Sequence, residues 1–248
     1  MDATLKTKLK HGELLLGTVM TLPSPEIAEI YVQAGFDWLF VDLEHSVMSP
    51  RDAQMILQAA SPTPSLVRVP YHDEVWITKA LDIGSAGIII PQIRTAEEAR
   101  KAVQLAKYPP AGSRGVGVGR AHGYGQTFQE YVASANDETI VVVQIEHIDA
   151  VNHIEDILAV DGIGGLLIGP FDLSTSMGKP GQLTDPEVQG AIRSVKENAQ
   201  RANMPLGIFC ATAEAAKPFI QDGYTLVAVG MDGMLISQLA KNITGSLR

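Results

Sequence analysis

Residues 139–146 read Thr-Ile-Val-Val-Val-Gln-Ile-Glu, an apolar run that becomes polar only near its end. A short continuous run of β-branched residues predicts a strand that is buried on both faces, as strands of parallel sheets are. Side chains of a strand alternate between its two faces, so Val142, Gln144 and Glu146 share one face. The sequence therefore predicts a buried strand that ends in an amide and a carboxylate pointing the same way.

Seven further runs of this kind occur along the chain, with amphipathic stretches between them. Eight strand and helix units in 248 residues give 31 residues each. This alternation predicts a single (β/α)8 barrel, a TIM barrel, as one domain over residues 1–248. An open doubly wound sheet is the alternative, but residues 18–23 after the first run are not the Gly-rich phosphate turn typical of that fold. The predicted strands are 14–20, 38–43, 66–69, 87–91, 139–145, 165–169, 206–209 and 226–229.

The composition excludes several classes of protein. Hydrophobic residues make up 46% of the chain and charged residues 19%, as in globular domains. The net charge of −9 argues against broad contacts with nucleic-acid phosphates or anionic lipids. No run approaches the roughly 18 apolar residues of a membrane span, and residues 1–13 lack the apolar region of a secretory signal. With one cysteine, Cys210, we expect a cytoplasmic protein without nucleic-acid or membrane partners.

Polar side chains follow the predicted strands at their carboxyl ends, where barrel enzymes build their sites. Asp42, Glu44 and His45 follow the second strand, and a carboxylate that orients an imidazole makes a general base. Arg68 lies within the third strand, where a guanidinium must meet a carboxylate or a developing oxyanion to be tolerated. Arg68 could therefore contact an oxyanion of a substrate or form a structural ion pair, and the sequence does not decide between these two roles. Two long connections, 109–126 and 171–184, are expected near the same end of the barrel.

Two carboxylates from neighbouring strands suggest a metal site. Glu146 and Asp172 could supply two oxygen ligands to Mg²⁺ or Mn²⁺, with water and a chelating substrate in the remaining positions. The alternative is that they cap helices or pair with Arg and Lys. No lysine lies inside a predicted strand, which counts against Schiff-base catalysis and favours metal-assisted enolisation.

Six short segments, several of them at the strand ends described above, form recognisable sequence motifs. They are 34–38 (AGFDW), 42–45 (DLEH), 67–70 (VRVP), 108–117 (YPPAGSRGVG), 144–146 (QIE) and 169–174 (GPFDLS). Together they resemble the HpcH/HpaI aldolases, metal-dependent class II pyruvate aldolases, over nearly the whole chain. The second motif departs from the frequent family form, because Leu43 stands where glycine is common.

The resemblance implies an enzyme that reversibly cleaves 4-hydroxy-2-oxo acids to pyruvate and an aldehyde through a metal-bound pyruvate enolate. It implies a divalent cation, Mg²⁺ or Mn²⁺ with Co²⁺ as a further candidate, and small-molecule 2-oxo acid and aldehyde partners. It also implies a homo-hexamer, a dimer of trimers in which the C-terminal helix is exchanged between subunits. The implied site has Glu146 and Asp172 on the metal, His45 as base, Arg68 on the pyruvate moiety, Asp42 and Asp82 supporting the base, and Gln144, Gly169, Pro170, Phe171, Asp172 and Ser174 around the substrate.

Other functions are open to the same residues. Oxaloacetate decarboxylation or a related 2-oxo acid lyase reaction would use the same enolate. A citrate-lyase-like or malyl-CoA-lyase-like enzyme is related in fold, but the chain shows no CoA-binding extension. A non-catalytic barrel that binds a 2-oxo acid is a candidate of another class, which His45, Arg68, Glu146 and Asp172 together disfavour.

Overall fold

Eight parallel strands close into a barrel in the computed structural model, which describes residues 4–248. The last strand pairs with the first, so no strand is left as an exposed edge. This arrangement confirms the predicted (β/α)8 fold, and each predicted strand is present with its ends shifted by at most two residues. The strands are β1 (Leu15–Met20), β2 (Trp38–Asp42), β3 (Ser65–Arg68), β4 (Gly87–Ile90), β5 (Ile140–Ile145), β6 (Gly165–Ile168), β7 (Leu206–Cys210) and β8 (Leu226–Met231).

Helices connect the strands on the outside of the barrel. Ser49 and Thr95 form capping boxes at two helix starts, as their spacing to an acidic residue three positions later indicates. The helices are α1 (Leu5–Lys10), α2 (Pro25–Gln33), α3 (Pro50–Ala60), α4 (Glu74–Asp82), α5 (Ala96–Ala106), α6 (Phe128–Glu138), α7 (Ile148–Asn152), α8 (Ile154–Leu158), α9 (Pro170–Ser176), α10 (Pro186–Arg201), α11 (Ala213–Gln221) and α12 (Asp232–Ser246). No helix within residues 4–248 is both long and apolar enough to cross a membrane.

The alternation of side chains along each strand decides what faces the barrel axis. In β2, Trp38 and Phe40 belong to the cluster inside the barrel, while Leu39 and Val41 pack under the helices. Asp42 continues the inward series at the carboxyl end of the strand. The register between β2 and β3 sets Asp42 opposite Arg68, so the two side chains meet inside the barrel mouth.

A short N-terminal helix, α1, closes the other end of the barrel. Its Leu5 and Leu9 are buried and join the interior cluster. The sequence pattern does not predict this helix, because six residues are too few to establish a helical period.

The long connection before β5 packs at the amino end of the barrel, so the expectation that it lies near the carboxyl ends is wrong. Arg114 Nη2 donates to Asp82 Oδ1 at 2.6 Å, and Arg120 Nη1 donates to the carbonyl of Ile83 at 2.9 Å. Both acceptors lie at the end of α4, just before β4 begins. The connection after β6 does start at the carboxyl end, where it forms α9.

Candidate active site

A cavity of about 250 Å³ opens at the carboxyl ends of the strands. One part of its wall is apolar and the other carries charged and amide side chains, as is typical of a site for a small polar molecule. The apolar part is Val19, Phe40, Leu167, Phe209 and Met231, the polar part is Asp42, His45, Arg68, Gln144 and Asp172, and the segment that begins α9 adds Gly169, Pro170 and Phe171.

A larger cavity of about 660 Å³ lies at the opposite end of the barrel. Pro64, Ala86 and Thr139, which lie next to the amino ends of β3, β4 and β5, form part of its wall. None of the predicted site residues lines this cavity. The chemistry of the lining, and not the size of the cavity, therefore identifies the candidate site.

Arg68 is held rigidly in the candidate site. Its Nε donates to Asp42 Oδ1 at 2.9 Å and its Nη2 donates to Asp42 Oδ2 at 2.6 Å, a bidentate pair. Its guanidinium carbon lies 5.1 Å from the ring centroid of Phe40. Burial works against the charge, but the hydrogen bonds and charge of Asp42, with the charge of Glu44, raise the pKa of Arg68. The guanidinium is therefore a fixed positive charge whose Nε and Nη2 atoms are both engaged by Asp42.

The turn that follows β2 is organised by the same aspartate. Asp42 Oδ1 accepts the backbone N–H of Glu44 at 2.9 Å and of His45 at 3.3 Å, and Ser46 donates its hydroxyl to the Asp42 carbonyl. Within the described residues, neither Asp42 oxygen contacts the His45 ring. Asp42 thus fixes Arg68 and the turn. Its contact with His45, the expected base, is made through the backbone N–H of His45 and not through the ring.

His45 projects into the cavity from this turn. Its side chain is 63% exposed, and its Nε2 lies 3.6 Å from Glu44 Oε2. The imidazole is therefore free to meet a substrate hydroxyl, and its neighbouring carboxylate is Glu44.

Glu146 lies deeper, at the end of β5. Its Oε1 accepts the backbone N–H of Gln92 at 2.7 Å and the side-chain Nε2 of Gln92 at 3.1 Å, while Gln144 Nε2 donates to Oε2. Burial raises the pKa of Glu146 to about 7; the hydrogen bond from Gln92 opposes this shift and the charges of Asp172 and Glu44 add to it. The fold without a cation therefore disfavours the charged form of this carboxylate.

The residues around Glu146 suit a divalent cation. The carboxylates of Glu44, Glu146 and Asp172 act on one another electrostatically, and Arg68 is the cation that opposes them. A Cβ at Gly169 would lie 3.0 Å from Glu146 Oε2, so this glycine keeps space open beside the carboxylate. Within residues 4–248 no three His, Cys, Asp or Glu side chains form a ready metal cluster. Two carboxylates would therefore leave the other positions to substrate oxygens and water.

Two predicted site residues lie elsewhere. Ser174 is fully buried, and its hydroxyl donates to the Phe171 carbonyl at 2.7 Å and accepts the N–H of Gly181 at 3.1 Å. Its hydroxyl therefore joins α9 to the loop that follows, and Ser174 does not line the cavity, so its expected substrate contact stays a prediction. Asp82 pairs with Arg114 at the amino end of the barrel, so it does not support His45 within one chain.

The remaining reactive groups play structural roles. Lys107 is buried and donates to the carbonyls of Asn136 at 2.7 Å and Thr139 at 2.8 Å, and burial lowers its pKa to about 8. Burial raises the pKa of Cys210 to about 11, which keeps the thiol protonated. No lysine lines the candidate site.

Two residues that shape the site were not predicted from the sequence. Gln92, which follows β4 after a proline, adopts a left-handed backbone (φ 56°) and gives Glu146 two hydrogen bonds. Its position after a strand, the criterion that selects Asp42 and Arg68, could have found it. Phe40 under the Arg68 guanidinium carries no such signal, because an aromatic residue in a strand also fits the core.

Comparison with known proteins gives consistent matches along the whole chain. A family model described as HpcH/HpaI aldolase/citrate lyase matches residues 17–238. The 4-hydroxy-2-oxo-heptane-1,7-dioate aldolase of Shigella sonnei is 39% identical over 245 residues, 97% of this chain and 93% of that protein. The enzyme of the same name from Klebsiella pneumoniae is 40% identical over 245 residues, 97% of this chain and 92% of that protein. The crystal structure of an HpcH/HpaI aldolase/citrate lyase family protein from Burkholderia cenocepacia superposes with a TM-score of 0.95 at 33% identity, covering 98% of both chains.

Proposed function

The chain belongs to the HpcH/HpaI aldolase/citrate lyase family, and from this membership and the geometry of the site we propose that it is a class II pyruvate aldolase. Such a carbon–carbon lyase cleaves a 4-hydroxy-2-oxo acid to pyruvate and an aldehyde, and in reverse adds pyruvate to an aldehyde. The observation that carries the proposal is the fixed guanidinium of Arg68 beside Glu146 and Asp172 at one barrel mouth.

Arg68 and Gln144 are suited to bind the 2-oxo acid. Asp42 occupies Nε and Nη2 of Arg68, while Nη1 donates to Gln144 Oε1 at 3.5 Å and lies 3.2 Å from Glu44 Oε2. Because its contacts are the longest of the three nitrogens, we expect Nη1 to be the one that turns to a ligand in the cavity. Negative charge that develops on the keto oxygen during cleavage would meet a preorganised cation, which stabilises an enolate.

The start of α9 offers backbone donors to the substrate carboxylate. The N–H of Gly169 is already bonded to the carbonyl of Ile145 at 3.1 Å, and Pro170 has no N–H. Phe171 and Asp172 follow in the first helical turn, whose N–H groups have no partner within the helix. We expect these two N–H groups to contact the carboxylate.

His45 is placed to move the proton of the cleavage step. An exposed imidazole at the cavity can accept the proton of the C4 hydroxyl while the C3–C4 bond breaks. The hydroxyl oxygen then becomes the aldehyde carbonyl, and the electron pair of the broken bond forms the enolate. Protonation of the enolate at C3 gives pyruvate.

A divalent metal is implied by the family, and the donor set described above fits one. Glu146 and Asp172 would hold the cation, which supplies Lewis-acid polarisation of the substrate's keto oxygen when bound. We propose Mg²⁺ or Mn²⁺ as the ion, with Co²⁺ as a further candidate, because carboxylate and carbonyl ligands suit hard cations.

The test is cleavage of a panel of 4-hydroxy-2-oxo acids, including 4-hydroxy-2-oxo-heptane-1,7-dioate, by the purified protein with each metal. Pyruvate release and the mass of the aldehyde are measured, and each assay is repeated after chelation with confirmed metal removal. We expect activity that needs metal and returns with Mg²⁺ or Mn²⁺. Full activity in the metal-free protein would refute the metal role.

Two rival functions have distinct outcomes in the same test. Turnover of oxaloacetate that exceeds turnover of every hydroxy-oxo acid would identify a decarboxylase. Pyruvate binding by calorimetry, without exchange of its methyl protons or any cleavage, would identify a non-catalytic binding barrel. An aldolase gives methyl-proton exchange together with cleavage.

We also propose a homo-hexamer, a dimer of trimers. The support is an unpartnered apolar surface on α12, a helix whose largest apolar side chains stay 43–63% exposed in a single chain. A second subunit is also what a role for Asp82 at His45 would require. Sedimentation of the purified protein tests the assembly. The exposed residues are Met234, Leu235, Ile236, Leu239 and Ile243.

A further inference from the structure

One carboxylate oxygen in the site lacks any hydrogen bond although it is buried. Glu44 Oε2 forms an ion pair with Arg68 Nη1 at 3.2 Å and lies 3.6 Å from His45 Nε2, but neither contact has hydrogen-bond geometry. Leaving a buried acceptor without a hydrogen bond is costly, so such an atom calls for a functional explanation. This oxygen sits between the guanidinium that faces the oxo acid and the imidazole that faces the hydroxyl.

The backbone directs Glu44 and His45 differently from the same turn. Asp42 holds the N–H groups of both residues, which fixes where their side chains leave the chain. The Glu44 side chain is 13% exposed and turns inward, while His45 is largely exposed. The two side chains therefore approach each other at the rim of the cavity.

Other acidic groups nearby are less suited to serve the imidazole. Both oxygens of Asp42 are engaged by Arg68, and Oδ1 also holds the turn. Within residues 4–248, Glu44 is the only carboxylate that lies within 4.0 Å of a His45 ring nitrogen. The charged groups that act on Glu44 are Arg68, His45, Asp42 and Asp172, and the charge of Glu44 acts in turn on Glu146.

We propose that Glu44 is a positioning residue of the aldolase reaction, an inference that rests on the function proposed above. Its negative charge, 3.6 Å from Nε2, stabilises the imidazolium that forms when the His45 ring takes the C4-hydroxyl proton. That proton is later returned as the enolate is protonated, so His45 ends each cycle neutral. Glu44 exchanges no proton with the substrate.

The test compares Glu44→Gln and Glu44→Asp with the wild-type protein. In Glu44→Gln we expect kcat to fall roughly tenfold, equal to about 1.4 kcal/mol of barrier, with KM changed less than about threefold. The acidic limb of the pH–rate profile should move to lower pH, because the imidazolium has lost its counter-charge. Glu44→Asp keeps the charge and should recover part of kcat.

A titration of the His45 ring by NMR in the metal-free protein makes the inference independent of turnover. Its midpoint should move to lower pH in Glu44→Gln. Asp149→Asn is the matched control, because it removes the carboxylate from another histidine pair, His147 Nδ1 to Asp149 Oδ2 at 3.2 Å. This variant should leave the His45 titration and kcat unchanged.

Three results overturn the inference. An unchanged His45 titration in Glu44→Gln would show that the two side chains are not coupled. A normal kcat with a raised KM would show that Glu44 acts only on substrate binding through Arg68. If the wild-type protein cleaves no hydroxy-oxo acid, the proposed function fails and the positioning role falls with it, whatever the titration shows.

Discussion

Glu146→Gln should flatten the pH dependence of stability in the metal-free protein. Burial raises the pKa of Glu146 from 4.5 to about 7, so the folded protein binds this proton more tightly than the unfolded chain does. The stability that the proton contributes is fully present below pH 4.5. It is lost as the pH rises through about 7, because the buried carboxylate must then ionise.

The difference between 4.5 and about 7 sets the size of the effect. At about 1.36 kcal/mol for each pKa unit, the folded state loses about 3 kcal/mol between acidic pH and pH 8. Glu146 is only 2% exposed, so solvent screening reduces this little. The Gln variant also places an amide against the Nε2 donor of Gln144, which lowers its stability at every pH. The slope with pH, and not the absolute stability, is therefore the informative quantity.

The assay is denaturant unfolding at pH 5, 6, 7 and 8 with excess chelator and one fixed protein concentration. The free energy of unfolding of the wild-type protein should fall by about 2.5 kcal/mol more than that of Glu146→Gln over this range, because part of the effect is already lost at pH 5. Glu29→Gln, which changes an exposed carboxylate on α2, serves as control and should follow the wild-type slope. Parallel curves for wild type and Glu146→Gln would refute the reasoning.

Three other variants test the site. Arg68→Lys keeps a charge but cannot make the bidentate pair with Asp42, so we expect kcat/KM for cleavage to fall about 100- to 1,000-fold in steady-state assays. His45→Ala should lower kcat by about 10²- to 10⁴-fold and leave Tm nearly unchanged, because the side chain is largely exposed. Gly169→Ala adds a Cβ 3.0 Å from Glu146 Oε2 and should weaken Mn²⁺ binding roughly tenfold or more in calorimetry.

The metal-binding result has a matched control variant. Gly190→Ala adds a methyl group whose nearest neighbour lies 3.8 Å away, so its Mn²⁺ affinity should equal that of the wild-type protein. Equal Mn²⁺ affinity in Gly169→Ala would contradict the placement of the cation beside Glu146. Wild-type turnover in His45→Ala or Arg68→Lys would remove that residue from the mechanism.

The strand ends could be predicted because burial and alternation are local properties of the sequence. The continuous apolar run predicts the strand, and the alternation of side chains along any strand then places Gln144 and Glu146 on one face of β5. The helix α1 and the path of the segment after α5 could not be predicted, because neither has a periodic pattern. Their positions depend on the barrel end against which they pack.

The partners of each polar side chain could not be predicted in the same way. Proximity along the chain leaves Asp42 and Glu44 both open as partners of His45, and the family resemblance implies Asp42. The register between β2 and β3 instead gives the Asp42 carboxylate to Arg68. Ser174 stands in a motif with cavity residues, yet its turn of α9 points the hydroxyl away from the cavity. The family resemblance implies a role for Asp82 at the base, but within one chain Asp82 lies at the opposite end of the barrel.

Hydrophobic periodicity along the chain is sufficient to specify the barrel and the residues that end its strands, because it sets which side chains are buried and on which face they lie. The pairing of those residues follows only from the folded arrangement. A hydrogen bond or an ion pair depends on distances of a few ångströms between side chains of different strands and turns. Closure of the barrel sets those distances, and it leaves Glu44 between His45 and Arg68.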